Sequence, residues 1–559
     1  MGISSILSTG EQALLAQQKA LQVVGQNIAN VNTPGYSRER PVLIPVPTAL
    51  TGSVLRSGVS VEQVKRVFDR FVTTQIHTAT TQLHSAQEQD DLLKQIEALF
   101  NDLGQEDAGL ASVLEHFFQS FQELANNPQD MAVRTALQQQ GTTVASTFQQ
   151  LHTGLQDLRQ DLNTSLQDEL EQMNRLANQI ADLNNQIMLV EADPNNPANT
   201  LRDERDQLVK QLAEKVDITT FETNEGAVTV LLGGGRPLVE GPRAQHLVTR
   251  ADDNEPQRLL VYMQDDYGNL TNVTTNILGG KIQGLLHVRD TAIPQFTTSL
   301  NRLAAQLIAS VNQLHSSGYG LDGTTGNAFF VPRQVTGQAL VENVGDGTLQ
   351  SPTVFDPTQL TLDEYRITFV ANGPPPTFDI INTTTGTTVA AAQTYTSGAP
   401  IRFAGIETRL TNGSGPPQVG DTFLFSTTQD AAENIAMDAG ILNDARKIAA
   451  AQTPTVGDNA NALALAALRQ NKVIDQATFE EFHHALLSTI GLQSQQSATQ
   501  AQQQQLVVTE MENRRESLAG VSLDEEQIDL IRFQQAFNAA AHFIQVADEL
   551  ANVVLDMVQ

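Results

Sequence analysis

The 559-residue sequence contains no cysteine and no tryptophan. Without cysteine there is no disulfide, no thiolate metal site and no thiol nucleophile. Without tryptophan, and with aromatics at only 5%, the cores must be largely aliphatic. Positive charge is scarce as well: 33 Lys and Arg stand against 63 Asp and Glu, for a formal charge of −30. That balance argues against a nucleic-acid partner, because neutralising a phosphate backbone takes clustered Lys and Arg. No run reaches the roughly 18–20 uninterrupted apolar residues of a membrane span, so no membrane partner is expected. A cleaved leader is not expected either, since MGISSILSTGEQALLAQQKALQ scatters Gln, Glu and Lys through its first turns. The readings left are a cytoplasmic protein, or one exported by a route that uses no cleaved leader.

Catalytic constellations are also missing. The sequence has no Gly-x-Ser-x-Gly elbow, no His-Glu-x-x-His and no Gly-x-x-x-x-Gly-Lys-Ser/Thr loop. The glycines at 233–235 are followed by Arg236-Pro237 and read as a turn. His77 and His84 lack Asp, Glu or Cys at ligand spacing, and the adjacent His483 and His484 would point about a quarter-turn apart on a helix, so both sets read as surface or boundary histidines. Carboxylate neighbours such as Asp90-Asp91 are expected in so acidic a chain. Glu525-Glu526 fit the first turn of a final helix, where the macrodipole favours negative charge and Ser522 is a candidate cap. No enzymatic activity, cofactor or metal is expected.

What is present sits at the two ends. Leu7, Leu14, Leu21 and Ile28 recur every seven residues, with Gly10, Gln17, Val24 and Val31 interleaved. At the other end Leu530, Phe533, Phe537, Ala540, Ile544, Ala547, Ala551, Val554 and Val558 alternate steps of three and four without exception. Both patterns are seams for packing one helix on another. Either stripe alone would fit the buried face of an ordinary amphipathic helix. Two of them at the extreme ends, where termini are commonly disordered, point to a pair that becomes ordered in a polymer. All of these residues except Gly10 and Gln17 are the candidate subunit-interface positions.

The first seam runs into NIANVNTPGYSR. Thr33 precedes Pro34 and is pushed out of the α region, so the helix should end near Asn32. Pro34-Gly35 suits the centre of a type II turn, where glycine accepts a positive φ. Tyr36 follows with a ring free to pack, and Pro41, Pro45 and Pro47 favour an extended arm. Asn30, Asn32, Thr33, Pro34, Gly35 and Tyr36 are therefore read as an elbow that fixes the angle at which the next domain leaves.

NIANVNTPGYSRER resembles the N-terminal signature of the bacterial flagellar axial proteins, the rod, hook and hook-associated family. The segment Gly520–Val558 resembles the matching C-terminal end of its hook-associated members, and NQLHSSGYGLDGTTGNAFF, at 312–330, resembles a central motif of the same group. The resemblance implies a structural subunit at the hook–filament junction, exported unfolded by the flagellar type III apparatus. Its implied partners are further copies of itself in a ring, the hook protein, the adjacent hook-associated protein on the filament side, and an export chaperone on the C-terminal helix. A rod or hook protein is the alternative; a secreted coiled-coil adhesin or a cell-wall hydrolase fits less well.

Between the ends, the pattern predicts a mainly α protein with β-rich insertions. A length of 559 residues should hold about three domains. Residues 1–60 with 520–559 are expected as a terminal coiled coil. Residues 61–216, 276–334 and 427–519 are expected as a helical-bundle second layer, 217–275 as a β-rich insertion on it, and 335–426 as a β-rich outer domain. TLRDERDQLVKQLAEKV reads as a helix with solvated charges. The uncharged, Gln-rich stretch 482–509 reads as a buried or subunit-facing polar helix rather than disorder. If the terminal seams drive assembly, Phe537→Asp or Ile544→Asp should leave the outer domains folded and abolish incorporation into the organelle. Normal filaments from either mutant, scored by electron microscopy, would refute the interface.

Overall fold

The computed structural model describes residues 3–50, 53–101, 109–193, 196–265 and 267–558. Helix α1 (Ile3–Ala29) leads into the hairpin of β1 (Glu39–Leu50) and β2 (Ser53–Arg66). Helices α2 (Arg70–Asn101), α3 (Leu110–Asn126), α4 (Met131–Val190) and α5 (Asn199–Lys215) follow. Short strands come next: β3 (Ile218–Glu222), β4 (Val228–Leu232), β5 (Arg236–Glu240), β6 (Arg243–Ala244), β7 (His246–Ala251), β8 (Leu259–Gln264) and β9 (Leu270–Asn272). Helices α6 (Gly280–His287) and α7 (Ile293–Ser317) return the chain to the helical layer.

A second strand-rich stretch comprises β10 (Thr336–Ala339), β11 (Gly347–Val354), β12 (Tyr365–Ala371), β13 (Thr377–Asn382), β14 (Thr387–Thr394), β15 (Pro400–Phe403), β16 (Ile406–Asn412) and β17 (Thr422–Ser426). The chain closes with α8 (Ala431–Asn434), α9 (Ala439–Asn443), α10 (Ala460–Ala467), α11 (Phe479–Ala519) and α12 (Leu523–Val558). The fold is mainly α, with terminal helices, a helical layer and β-rich insertions.

Three cores follow from the apolar periodicities. Helix α4 is 60 residues long, about 90 Å at 1.5 Å per residue, and starts where the Asp130 side chain accepts the Ala132 N–H. Its first half packs with α3, α7 and α8, and α10 and the start of α11 close over α3 and α7 to complete a core around Phe117, Phe121, Phe148, Phe296, Phe329 and Phe330. Its second half, through Leu166, Leu170, Met173 and Ile180, supports α5, α6 and the sheets β3-β4-β5-β6 and β7-β8-β9. Asn184 in that half ties the insertion down: its amide bonds both Val228 N–H and C=O.

The third core lies between two antiparallel sheets, β10-β17-β12-β13-β14 and β11-β16-β15. Tyr365, Ile367 and Phe369 alternate inward from β12 and meet Phe403, Ile406 and Leu410 from the other sheet, the period-two pattern of a half-buried strand.

Several sequence expectations need correction. The proline-rich arm is a paired strand: Pro41, Pro45 and Pro47 face Val64, Val59 and Arg56. A two-stranded ribbon consists of edges alone, and bulges fall at Val42/Leu43 and Pro45/Pro47, so proline is tolerated. Strand β2 runs through the boundary expected at residue 60, and the whole hairpin packs on α1. Helix α1 ends at Ala29 rather than near Asn32, the last turns being closed by Asn30 and Val31 N–H groups. Pro194, expected to help end α4, lies outside the described residues; α4 stops at Val190.

The charges of α5 are not all solvated, although Glu204 is exposed. Arg205 is wholly buried and donates to Asn184 Oδ1 and Gly226 O, and Asp203 and Arg202 are also mostly covered by partners. Residues 435–478, expected to be mostly helical, contain only short helical turns between loops. The Gln-rich stretch lies on α11, whose inner face packs on α2 through Ala501, Val508, Ala79 and Leu83.

The histidines differ as well. His77 and His483 are buried rather than at the surface, as is His315. His315 sits in the central motif, with Nδ1 2.7 Å from Asn327 O and Nε2 accepting the Ala449 N–H at 2.9 Å. That pattern needs the neutral Nδ1–H tautomer. Burial lowers His77, His315 and His483 to about 4 each. Arg134 adds to the effect at His315 and Asp438 opposes it.

Because these folded-state values lie below the unfolded one, the stability they contribute is complete above about pH 6.5 and is lost as pH falls toward 4. Unfolding free energy and the denaturant midpoint should therefore fall between pH 7.5 and 5, the free energy by up to roughly 1.4 kcal/mol per pH unit per histidine. A midpoint that holds steady over that interval would contradict the buried neutral histidines.

Candidate functional site

The two terminal helices pair antiparallel. Gly10 faces Ile544, so closely that a Cβ on Gly10 would stand 2.6 Å from Ile544 Cγ1. Farther along, Ala20 and Val24 pack on Phe533, flanked by Leu21, Ile28 and Leu530. At the far end Asn27 reaches Glu526. Of the candidate seam positions, Val24, Phe533, Ala540 and Ala547 are buried. Leu7, Leu14, Leu21, Ile28, Val31, Leu530, Phe537, Ile544 and Ala551 are half-buried. The side chains of Val554 and Val558 lie outside the described residues.

Helix α1 also buries Ala16, Ala20 and Val23. The heptad reading missed all three because α1 has two neighbours, α12 and the hairpin, and needs a stripe wider than a seam.

The elbow is a hydrogen-bonded turn. Tyr36 N–H donates to Thr33 O at 3.2 Å, and Gly35 takes φ +84°, as a type II turn requires of its third residue. Gly35 also lies against Gln207 of α5, where a Cβ would stand 2.0 Å from the amide nitrogen. Asn32, Thr33 and Pro34 are exposed, while Asn30, Gly35 and Tyr36 are half-buried. Asn30 Nδ2 caps Gln26 O and its Oδ1 accepts the Thr33 hydroxyl.

The residue that organises the elbow is Asn27, which the sequence does not single out. It is 1% exposed. Its Oδ1 accepts the Tyr36 hydroxyl at 2.9 Å and the Glu39 N–H at 3.0 Å. Its Nδ2 donates to Glu39 O at 2.9 Å and Glu526 Oε2 at 3.0 Å. Tyr36 is held well above its ordinary pKa by burial and by the charges of Glu39, Asp203 and Glu526, so it remains the hydroxyl donor.

Arg38, also missed, is buried among the acids that open α12. Its guanidinium contacts Glu525, lies 2.6 Å from Glu526 and 3.9 Å from Asp529, and it holds the Glu525 carboxyl below the usual range. Glu525 and Glu526 thus do more than complement a helix dipole. Ser522 contributes its carbonyl, which accepts the Glu526 N–H. Arg38 N–H bonds Ala519 O at the end of α11, and Val67 N–H bonds Arg38 O.

The outer side of the elbow is fixed by α5. Asp203 accepts the Ser37 N–H at 3.0 Å and binds Arg66 at 2.8 Å, with Asp206 2.7 Å from the same guanidinium. Lys210 pairs with Glu512 of α11. Elbow, hairpin, α5, α11 and α12 are thereby joined at one place. The joint is made of paired charges and hydrogen bonds between these elements.

A family model for the flagellar hook-associated protein FlgK helical domain matches residues 93–330, and one for flagella basal body rod proteins matches residues 7–36. Flagellar hook-associated protein 1 of Escherichia coli (strain K12) is 30% identical over 566 aligned positions, taking in 99% of this chain and 100% of that protein. Its counterpart in Bacillus subtilis (strain 168) is 26% identical over 98% of this chain and 97% of that one. The solved flagellar hook junction protein FlgK from Burkholderia pseudomallei shares the fold, with a TM-score of 0.66 at 21% identity over 80% of this chain and 100% of that chain.

Asn27→Ala would orphan the Glu39 N–H, the Glu39 carbonyl and the Tyr36 hydroxyl. The expected cost to pairing of the termini is on the order of 3 kcal/mol. Hydrogen exchange should show α1 and α12 amides losing protection while α4 and α7 are unchanged; retained protection in α12 would refute Asn27 as the organising residue.

Proposed function

The chain belongs to the family of flagellar hook-associated protein 1, and from that membership we propose that it is the structural subunit forming the junction between hook and filament. The observation that carries the mechanism is the uncovered flank of the terminal pair. Ile528, Ile531, Phe543, Leu550 and Val553 are each about half exposed or more along α12, beside a seam already filled by α1. A slender pair of helices with an apolar flank is a component awaiting neighbours.

Further copies of the chain cover that flank and close a ring whose inner wall is terminal helices. Each side chain fully buried there contributes roughly 1.5–3 kcal/mol to adding a subunit. The elbow sets the angle between this wall and the helical layer, with the sheets of 336–426 outermost. The hook protein is the partner on one side and the adjacent hook-associated protein the partner on the filament side.

Before assembly the chain leaves the cell through the flagellar type III apparatus, with an export chaperone on the apolar flank of α12, and its place of work is the extracellular flagellum. No reaction and no nucleic-acid or membrane partner is assigned. The charge of −30 disfavours the former partner, and no helix among the described residues is long and apolar enough to cross a membrane.

Deleting the gene in a motile source strain tests the assignment. Bare hooks, with filament protein released into the medium, are the expected result. Missing hooks would move the chain to the rod or hook, and normal flagella would remove it from the organelle.

A further inference from the structure

We propose that His152, Asp430 and Glu433 form a binding site for a divalent transition-metal ion of the zinc class, which ties the chain returning from the outer sheets to helix α4. A ring nitrogen of His152 and one carboxylate oxygen from each acid lie within 4.8 Å of one another. His152 is 5% exposed, and its Nε2 is buried without a hydrogen-bond partner among the described residues. A buried imidazole nitrogen left unpaired is a group in want of a ligand.

Asp430 stands at φ +58°, immediately before α8. Glu433 is exposed and gives an ion its way in.

The donor set selects the ion. Imidazole with carboxylate suits zinc and its neighbours, whereas calcium and magnesium favour shells of oxygen. Zinc bonds of about 2.0–2.2 Å place tetrahedral ligands roughly 3.4 Å apart, which rotation of the exposed Glu433 side chain allows, leaving a fourth position for water. The location gives the ion a purpose. Gln149, one turn before His152, donates to Ile435 O at 2.9 Å, so a metal would reinforce a contact already made between α4 and the segment after β17.

Titration calorimetry of the full-length, untagged, chelator-treated protein with zinc chloride tests the site. One zinc per chain with micromolar affinity is expected. Glu433→Gln, Asp430→Asn and His152→Asn should each weaken binding by about tenfold or more, while His484→Asn, at an exposed histidine elsewhere, should not. Because Glu433 is at the surface, its variant keeps the fold and reports on coordination alone. The proposal is overturned by absence of saturable binding below roughly 1 mM, by binding that Glu433→Gln leaves unchanged, or by equal binding of calcium or magnesium.

Discussion

Asn27 lies buried where the first helix ends and the last begins, and its amide uses both donors and both acceptors. Its partners come from three places: the elbow through Tyr36, the hairpin through Glu39, and α12 through Glu526. An unpaired buried polar group costs about 1–3 kcal/mol, so the amide is satisfied only when all three are in register. Arg38 extends the constraint by charge, its guanidinium seated among Glu525, Glu526 and Asp529. Apolar packing along the seam holds α1 and α12 together but tolerates sliding; the polar node at one end does not.

From that node the rest of the molecule is placed in order. Helix α5 reaches the elbow through Asp203 and Gln207, and reaches α11 through Lys210. The buried Arg205 links α5 in turn to α4 and to the loop before β4. The insertion that carries β3 to β9 is therefore held to α4 and α5 by buried, hydrogen-bonded contacts.

The helices of this chain are readable from sequence because a helix is a local, periodic object. The stripe through Leu166, Leu170, Met173 and Ile180, the alternation of Tyr365, Ile367 and Phe369, and the Pro34-Gly35 turn each depend on residues a few positions apart. Arg205 and His483 were misread for the opposite reason. A charged or polar residue is taken as exposed unless a partner is known, and the partners of Arg205 are Asn184 and Gly226, on separate elements. The proline-rich stretch was misread as an arm because its pairing strand is defined by register, which proline alone does not reveal.

The sequence by itself determined the two terminal stripes, the stop between them and the alternation of helical and β-rich segments, since these rest on periodicity and on the backbone limits of proline and glycine. It also determined the acidic, cysteine-free character that sets aside whole classes of function. Only the tertiary structure decided that α1 and α12 run antiparallel with Gly10 at Ile544, that Asn27 and Arg38 bond the elbow to α12, and that Arg205 of α5 is interior. Those facts join residues as far apart as Asn27 and Glu526, and such contacts are chosen by packing the whole chain at once, where every buried polar group must find its partner.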